Sequence, residues 1–189
     1  NMLEGLRCSL YESGLEHKFW SQAVQAWCML NNLTKDDYDG GTTPWQRRHG
    51  IKRKFDGQLV PFGAKIHYLP TADREVSARQ KAGPRMVEGL FAGYKVLHDA
   101  RWNGEYLVYD RLAYENWDGK LPLSVHTTKE LYIPGQAADS RDLPEFQFPV
   151  RDGDWKSKAP TPNRYVQKRY RRKPPASKTT PKPAAEKDE

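Results

Sequence analysis

The sequence predicts an α+β fold with a helical N-terminal part, a small β-barrel and a disordered basic tail. Three observations lead to this prediction. Leucines near the N-terminus recur with helical spacing, two apolar runs flank a turn between residues 84 and 112, and residues 155–185 carry ten Lys and Arg but no Asp or Glu. We therefore divide the chain into residues 1–57, 58–133 and 134–189.

Length and composition limit the class of protein. The chain has 189 residues and a mean hydropathy of −0.91, which suits a folded domain in water. The sequence contains no run of about 18 apolar residues and no signal peptide. We expect an intracellular protein, nuclear or cytoplasmic, or a fragment of one, with no membrane partner. Cys8 and Cys28 lack metal-ligand spacing, and we expect both to be reduced.

Two helices are predicted at the N-terminus. In the first, Leu3, Leu6 and Leu10 fall at positions i, i+3 and i+7, and Gly14 is placed to end the helix. The second runs from about residue 16 to residue 31, and its apolar stripe is wide. We expect this stripe to leave an exposed patch through which the chain forms homo-oligomers. The stripe consists of Phe19 or Trp20 with Ala23, Val24, Trp27 and Leu30.

A short third helix with a basic end follows. The Thr43 hydroxyl is placed to cap it, Pro44 suits its first position, and Gly50 ends it. The cations at and beyond its end have two interpretations: they stabilise the helix C-terminus, or they contact the phosphates of a nucleic acid. The cluster comprises Arg47, Arg48, Lys52, Arg53 and Lys54.

Four or five short strands are predicted to close the barrel, because apolar and β-branched runs are bounded by Gly, Pro or Asn. Glycines inside the first hairpin arm suit bulges or bends. We place strands at residues 62–68, 85–96, 105–110 and 121–133, the last with a break near Thr127. In the hairpin, residues 97–101 form the loop, and Asn103-Gly104 supplies a turn just before the second arm.

The sequence offers no recognisable catalytic or metal site. No nucleophile stands at a recognisable spacing from a base, and neither a P-loop nor a Gly-rich dinucleotide turn occurs. The acidic loop at residues 36–41 superficially resembles a calcium site, but Arg48 stands where the closing carboxylate belongs. We therefore predict no enzyme activity, no cofactor and no metal. The dispersed histidines are interpreted as surface or packing residues: His17, His49, His67, His98 and His126.

The positive charge of the chain lies in its tail. The whole chain has a net charge of +7, whereas residues 1–154 hold 20 Lys and Arg against 21 Asp and Glu, a net of −1. Tyrosines alternate with cations in the tail, which suits phosphate contacts combined with base stacking. Solvated charge without a partner and a nuclear-import signal stay open as alternatives. Together with the cluster around the third helix, the predicted nucleic-acid contacts are Lys156, Lys158, Arg164, Tyr165, Lys168, Arg169, Tyr170, Arg171, Arg172, Lys173, Lys178 and Lys182.

The order of five segments resembles that of copia-type retrotransposon integrases, in the region just downstream of their catalytic centre. The resemblance covers roughly residues 1–133. The segments are LEGLRCSLYESGL, HKFWSQAV, TPWQRRHG, LVPFGAKIHYLP and VEGLFAGYKV. The matching positions are Leu3, Glu4, Ser13, Gly14, Leu15, Phe19, Trp20, Thr43, Pro44, Gly50, Phe62, Gly63, Gly89, Phe91, Gly93 and Tyr94.

This resemblance implies an SH3-like barrel at residues 58–133 and the helical end of a catalytic core at residues 1–57. It also implies that the catalytic residues, two Asp and one Glu that bind two metal ions for phosphoryl transfer, lie upstream of Asn1. The chain would then be a fragment that is not an enzyme by itself. The implied partners are DNA, or RNA in its place, and the upstream catalytic domain.

Two function classes follow from these observations. The first is a non-catalytic C-terminal part of a retrotransposon Pol polyprotein integrase, whose barrel and tail hold DNA during integration. The second is a protein-interaction module whose basic tail serves only for nuclear targeting. The salt dependence of DNA binding separates the two classes, because only the first releases counterions from DNA.

Overall fold

The fold is described from a computed structural model, over residues 1–35, 41–50, 55–71, 85–99, 101–135 and 145–158. Several predictions fall outside these ranges: the acidic loop up to residue 40, the three cations at residues 52–54, and the basic tail from residue 159 onward. Within the described residues no helix combines the length and the apolarity needed to cross a bilayer.

Two helices open the chain, as predicted. Helix α1 (Met2–Ser13) ends at Gly14, whose positive φ of 69° gives the left-handed C-cap expected for glycine. A 3₁₀ turn (His17–Phe19) then leads into α2 (Trp20–Thr34). The two helices approach closely at Gly5, where an added Cβ would lie 2.0 Å from the Trp27 ring. Any larger residue at position 5 would therefore push the helices apart.

The buried stripe of α2 differs in part from the predicted one. Phe19, Ala23, Ala26 and Met29 are buried, whereas Trp20 is 51% exposed. Phe19, Ala23 and Ala26 stand at positions i, i+4 and i+7, the spacing of one helix face, so this face packs on the core and Trp20 lies beside it. The predicted homo-oligomer stays a prediction, and the exposed Trp20 ring is apolar surface that favours it.

Helix α3 (Pro44–His49) is capped as predicted. The Thr43 hydroxyl accepts a hydrogen bond from the Gln46 backbone N–H, and the Gln46 side chain accepts one from the Thr43 backbone N–H. This reciprocal capping box satisfies two backbone donors that a helix start otherwise leaves unpaired. The box fixes where this short helix begins and therefore where its basic last turn lies.

The strands form one antiparallel sheet that curls into a half-barrel. Its order is β4-β3-β2-β1-β5, and the ten-residue β2 lies at its centre. The predicted hairpin is confirmed, but Asn103-Gly104 lies inside β3 rather than in a turn before it. The strands are β1 (Lys65–Tyr68), β2 (Val87–Val96), β3 (Trp102–Asp110), β4 (His126–Thr128) and β5 (Leu131–Tyr132).

The two edges of the sheet meet because β4 and β5 follow one another along the chain. The break predicted near Thr127 lies at residues 129–130 and separates these two strands. Thr128 is buried, and its hydroxyl oxygen lies 2.9 Å from the carbonyl oxygens of both Leu69 and Glu130. The Leu69 N–H in turn donates to the Glu130 carbonyl. These contacts hold the end of β1 against the turn between the edge strands.

The sheet has apolar residues on both faces. Successive residues of β2 alternate between them, so that Phe91 lies in one core and Leu90 and Ala92 lie in the other. The first core fills the half-barrel, while the second lies between the sheet and the N-terminal helices. The helical part and the barrel part thus share a core, and the division predicted after residue 57 stays a prediction about chain organisation.

Residues 145–158 differ from the tail predicted for residues 134–189. This segment contains α5 (Pro149–Asp152), and Phe148 and Trp155 are buried in the two cores. A short helix α4 (Arg111–Glu115), also absent from the sequence prediction, connects β3 to the buried Trp117. Isolated aromatic residues between prolines show no periodicity, so the sequence pattern did not reveal that they complete the cores.

A charged cluster connects β1, β2 and α4. Glu88 pairs with Lys65 at 3.1 Å and also with Arg111. Burial alone would raise the pKa of Glu88, but the hydrogen bonds from Lys65 and Arg111 outweigh it and hold that pKa below its ordinary value. The carboxylate thus stabilises the fold only in its ionised form.

Replacing this carboxylate tests the cluster. A carboxyl group with a lowered folded-state pKa stabilises the fold above its unfolded pKa of about 4.3, and this stabilisation is lost as the pH falls through the folded pKa. We expect Glu88→Gln to reduce the free energy of unfolding at pH 7 by about 1–2 kcal/mol and to matter less near about pH 3. Urea unfolding at both pH values measures this. An equal loss at both, or the same loss for the exposed control Glu4→Gln, would contradict it.

Candidate nucleic-acid interface

A groove of about 860 Å³ lies between α2, α3 and the β2–β3 hairpin. We call it the α2–α3 groove. Its volume is in the range of pockets that bind nucleotides and other molecules of that size. The described residues that line it are Gln25, Cys28, Met29, Asn32, Pro44, Trp45, Arg47, Arg48, His49, Tyr94, Lys95, Val96 and Leu107.

Helix α2 supplies one wall through a single stripe of side chains. Gln25, Cys28, Met29 and Asn32 stand at positions i, i+3, i+4 and i+7, which places them on one helix face. The amides of Gln25 and Asn32 are on exposed residues, whereas Met29 is buried at the floor. This wall therefore has a polar rim above an apolar base.

Helix α3 supplies the opposite wall with its basic last turn. The capping box at Thr43 sets the helix start, so Arg47, Arg48 and His49 follow within one turn. One Arg48 guanidinium nitrogen donates to the Asp99 carbonyl oxygen at 3.1 Å, which connects α3 to the hairpin loop. Because this acceptor is a neutral carbonyl, the positive charge of Arg48 is not compensated by it.

The hairpin closes the groove and contributes its third cation. Lys95 lies near the end of β2 and forms an ion pair of 2.6 Å with Glu105 on β3. Hydrogen bonds from Lys95 and from Asn103 lower the pKa of Glu105, which stays ionised at neutral pH. Glu105 therefore offsets part of the Lys95 charge.

The lining as a whole carries cations without carboxylates. Arg47, Arg48 and Lys95 all contribute to it, while none of the described lining residues is Asp or Glu. No described carboxylate forms an ion pair with Arg48 either. A concave surface with charges of one sign concentrates ions of the opposite sign, so this groove favours an anionic ligand.

The floor and the α3 wall add apolar and aromatic surface. Met29, Val96 and Leu107 line the base, and Val96 is 43% exposed. The rings of Trp45 and His49 lie 4.1 Å apart between centroids. Trp45 Nε1 and His49 Nε2 are buried and have no hydrogen-bond partner among the described residues. Buried polar atoms without a partner call for an explanation. One explanation is that a molecule bound in the groove supplies the missing hydrogen-bond partner.

The tyrosines beneath the groove are structural. The Tyr94 hydroxyl accepts from the Val60 N–H at 3.0 Å and donates to the Gln58 carbonyl, and the Tyr106 hydroxyl accepts from the Gln58 N–H. Burial raises the pKa of Tyr94 and of Tyr106 above the ordinary tyrosine value, so both hydroxyls stay protonated. These bonds hold the chain segment before β1 against the hairpin, and the Tyr94 ring completes the groove.

The predicted nucleic-acid contacts fall into separate places. The structure brings Arg47 and Arg48 together on the α2–α3 groove. Lys158 instead donates to the Asn116 side chain beyond α4, and Lys156 is exposed in the same segment. The remaining predicted contacts, Lys52, Arg53, Lys54 and those from Arg164 to Lys182, lie outside the described residues.

The groove residues outside α3 were not among the predicted contacts. Gln25 and Asn32 lie on α2 and Lys95 lies on β2, far away in the chain, and none of the three stands in a cluster of basic residues. The only local signal was that Lys95 follows the aromatic part of β2 as the first charged residue after Glu88. Only the packing of α2 and α3 against the hairpin reveals that these side chains share one surface.

The described residues contain no group of three or more His, Cys, Asp and Glu side chains that could hold a metal ion. The α2–α3 groove is therefore characterised by cations, amides and apolar surface. Comparison of the chain with protein-family models, with curated proteins and with solved structures finds no match.

Proposed function

We propose that this chain is a non-catalytic nucleic-acid-binding module, equivalent to the part of a copia-type integrase that follows the catalytic domain. In this proposal it holds DNA through electrostatic contacts while an upstream domain performs the chemistry. The observation that carries the proposal is the convergence of Arg47, Arg48 and Lys95 on one groove whose described lining has no carboxylate. Cations that converge on one concave surface bind phosphates by releasing the counterions of the nucleic acid.

The position of the groove in the chain supports this proposal. Arg47 and Arg48 end α3, and the sequence continues after Gly50 into Lys52, Arg53 and Lys54. A cation at the end of a short helix needs no partner of its own to stabilise that helix, and such stabilisation rarely exceeds about 1 kcal/mol. Five cations within eight residues exceed what one helix end requires, so a polyanionic partner accounts better for the cluster.

The proposed equivalence to part of a copia-type integrase is supported by the positions of the residues that carry the resemblance. Gly63 and Gly89 stand where an added Cβ would meet Ser13 and the Tyr109 carbonyl at 2.2 and 2.6 Å. Phe91 is in the barrel core, and Gly93 faces α2. Gly63 and Gly93 thus lie where helices approach the curled five-stranded sheet, and Gly89 and Phe91 pack within that sheet. This arrangement is compatible with an SH3-like barrel placed behind helices. In this proposal the chain would act in the nucleus or cytoplasm, wherever DNA or RNA of the element is bound.

Removal of the two groove arginines tests the function. Each lost phosphate contact reduces both the affinity and its salt dependence, so we expect Arg47→Gln with Arg48→Gln to weaken duplex DNA binding about 10- to 30-fold at about 150 mM salt. Fluorescence anisotropy with a labelled duplex measures the dissociation constant.

The matched control removes two cations outside the groove lining, through Arg7→Gln with Lys120→Gln. This pair changes net charge equally and should weaken binding less than about threefold. Equal losses for the two double variants would mean that net charge alone drives association. No DNA binding by the unmodified chain would instead favour the protein-interaction module with a targeting tail.

A further inference from the structure

We propose that residues 145–158, which we call the C-terminal strap, dock on a second copy of this chain in the same way as on their own, so that two copies exchange straps and form a dimer. Exchange of an identical element is a low-cost route to a dimer, because the contacts made within one copy are made again between two. This inference goes beyond nucleic-acid binding and does not depend on it.

Two aromatic anchors hold the strap on the rest of the chain. Phe148 is 5% exposed and lies in the core that fills the half-barrel. Trp155 is 4% exposed and lies in the core between the sheet and the helices, where the Arg111 guanidinium lies 5.2 Å from its ring centroid. Buried aromatic anchors of this kind dominate the affinity of docked segments. The strap therefore has the anchors of a docked peptide.

The strap also covers an open part of a strand edge. Strand β5 pairs with β1 at His67 and Tyr68, and the start of β1 lies beyond this pairing. There the Lys65 N–H donates a hydrogen bond to the Gln147 carbonyl oxygen at 2.8 Å. Main-chain pairing of an added segment with a free strand edge is a general mode of peptide recognition. This hydrogen bond fixes the position of the strap along β1.

Further contacts join the strap to α1 and to the segment after α4. The Arg151 guanidinium pairs with the Glu12 carboxylate at 2.6 Å, and the Ser157 hydroxyl donates to the Trp117 carbonyl oxygen at 2.9 Å. An added Cβ at Gly14 would lie 2.4 Å from the Arg151 backbone nitrogen, so the strap packs directly on the end of α1. A second copy of the chain presents the same partners, and its surface therefore fits the same segment.

The length of the linker determines which copy receives the strap. Nine residues, 136–144, connect the strap to Gly135. They span at most about 32 Å, so the strap stays near its own copy. A tether of this kind gives the attached segment an effective concentration in the millimolar range, roughly. The strap therefore favours its own copy at micromolar concentrations, and exchange increases as the chain concentration approaches about 1 mM.

Crosslinking between two full-length variants detects this exchange. One variant carries Glu12→Cys and the other Arg151→Cys, at side chains that are 53% and 40% exposed. Both variants also carry Cys8→Ser and Cys28→Ser, so that each has a single thiol. The two are incubated together at about 1 mM, diluted and treated with a short bismaleimide. A strap docked on its own copy leaves the two thiols on separate molecules, whereas an exchanged strap brings them together.

We expect the covalent heterodimer to rise at least about fivefold between mixtures at about 0.05 mM and about 1 mM. Adding Phe148→Ala and Trp155→Ala to the Arg151→Cys variant removes the anchors of its strap and should lower the yield at least about fivefold. If that variant does not fold, a synthetic peptide of residues 145–158, added in excess to the original mixture, should lower the yield by competing for the same surface. The same peptide with both aromatic residues changed to Ala is its matched control.

The outcomes distinguish strap exchange from other association. A heterodimer that forms equally well without the two anchors, or in the presence of excess strap peptide, would overturn the inference. The copies would then associate through another surface, such as the exposed Trp20 ring. An absence of heterodimer at about 1 mM would overturn it as well.

Discussion

Replacing Gly63 by alanine is expected to destabilise the protein by about 2–5 kcal/mol. Gly63 has a φ of 77°, which costs an L-residue about 1–2 kcal/mol. An added Cβ would also lie 2.2 Å from the Cβ of Ser13, which is fully buried at the end of α1. Relieving such overpacking typically costs a further 1–3 kcal/mol, roughly. Urea or thermal unfolding of the full chain measures the loss.

A glycine with a similar positive φ provides the matched control. Gly104 has a φ of 82° and nothing within 4 Å of an added Cβ. Gly104→Ala should therefore lower the free energy of unfolding only by the cost of a positive φ, about 1–2 kcal/mol. A Gly63→Ala protein no less stable than the Gly104→Ala protein would mean that α1 does not pack on the turn before β1.

Deleting residues 159–189 is expected to have the largest effect on DNA binding. Residues 164–182 carry eight Lys and Arg and no Asp or Glu. If about four of these cations contact phosphates, their loss should weaken duplex binding roughly 100- to 1,000-fold at about 150 mM salt. Anisotropy with the same labelled duplex measures both proteins.

A second variant distinguishes the contribution of the tail's charge to DNA binding from the contribution of its length. In the full-length chain, all eight Lys and Arg between residues 164 and 182 are changed to Gln, which keeps the length but removes the charge. This variant should bind as weakly as the truncated chain if phosphate neutralisation is the cause. A truncated chain that binds duplex DNA as tightly as the full chain would show that the tail has no such role.

The parts of the fold that local chemistry determines were predictable from the sequence. The Thr43–Gln46 capping box, the C-cap at Gly14 and the β2–β3 hairpin are all encoded within short stretches of chain. Such signals act over a few residues, so a single sequence is enough to identify them.

Features that depend on tertiary packing were not predictable in the same way. Phe19 and Trp20 are adjacent aromatic residues, and only the packing of the helix shows that Phe19 is buried while Trp20 is 51% exposed. Phe148 and Trp155 complete cores formed by residues far earlier in the chain. The burial of Phe148 and Trp155 has no periodic signature in the sequence, because it depends on which surface of the cores the earlier elements leave uncovered.

The candidate site was likewise predictable only in part. Arg47 and Arg48 were predicted as phosphate contacts from the density of cations around α3, and both line the groove. Lys95, Gln25 and Asn32 could not be added, since they lie on β2 and α2, which only tertiary packing brings to the groove. The sequence thus indicated one wall of the groove, and only the packing of α2 against the hairpin supplied the others.

The most direct test of the account is the salt dependence of duplex DNA binding by the unmodified chain. The central claim is that the chain binds nucleic acid by neutralising phosphates. With about six phosphate contacts, log K should fall against log salt concentration with a slope of roughly −5, and the truncated chain should give a slope shallower than about −3. A slope near zero for the full chain, or no measurable binding at low salt, would contradict the claim.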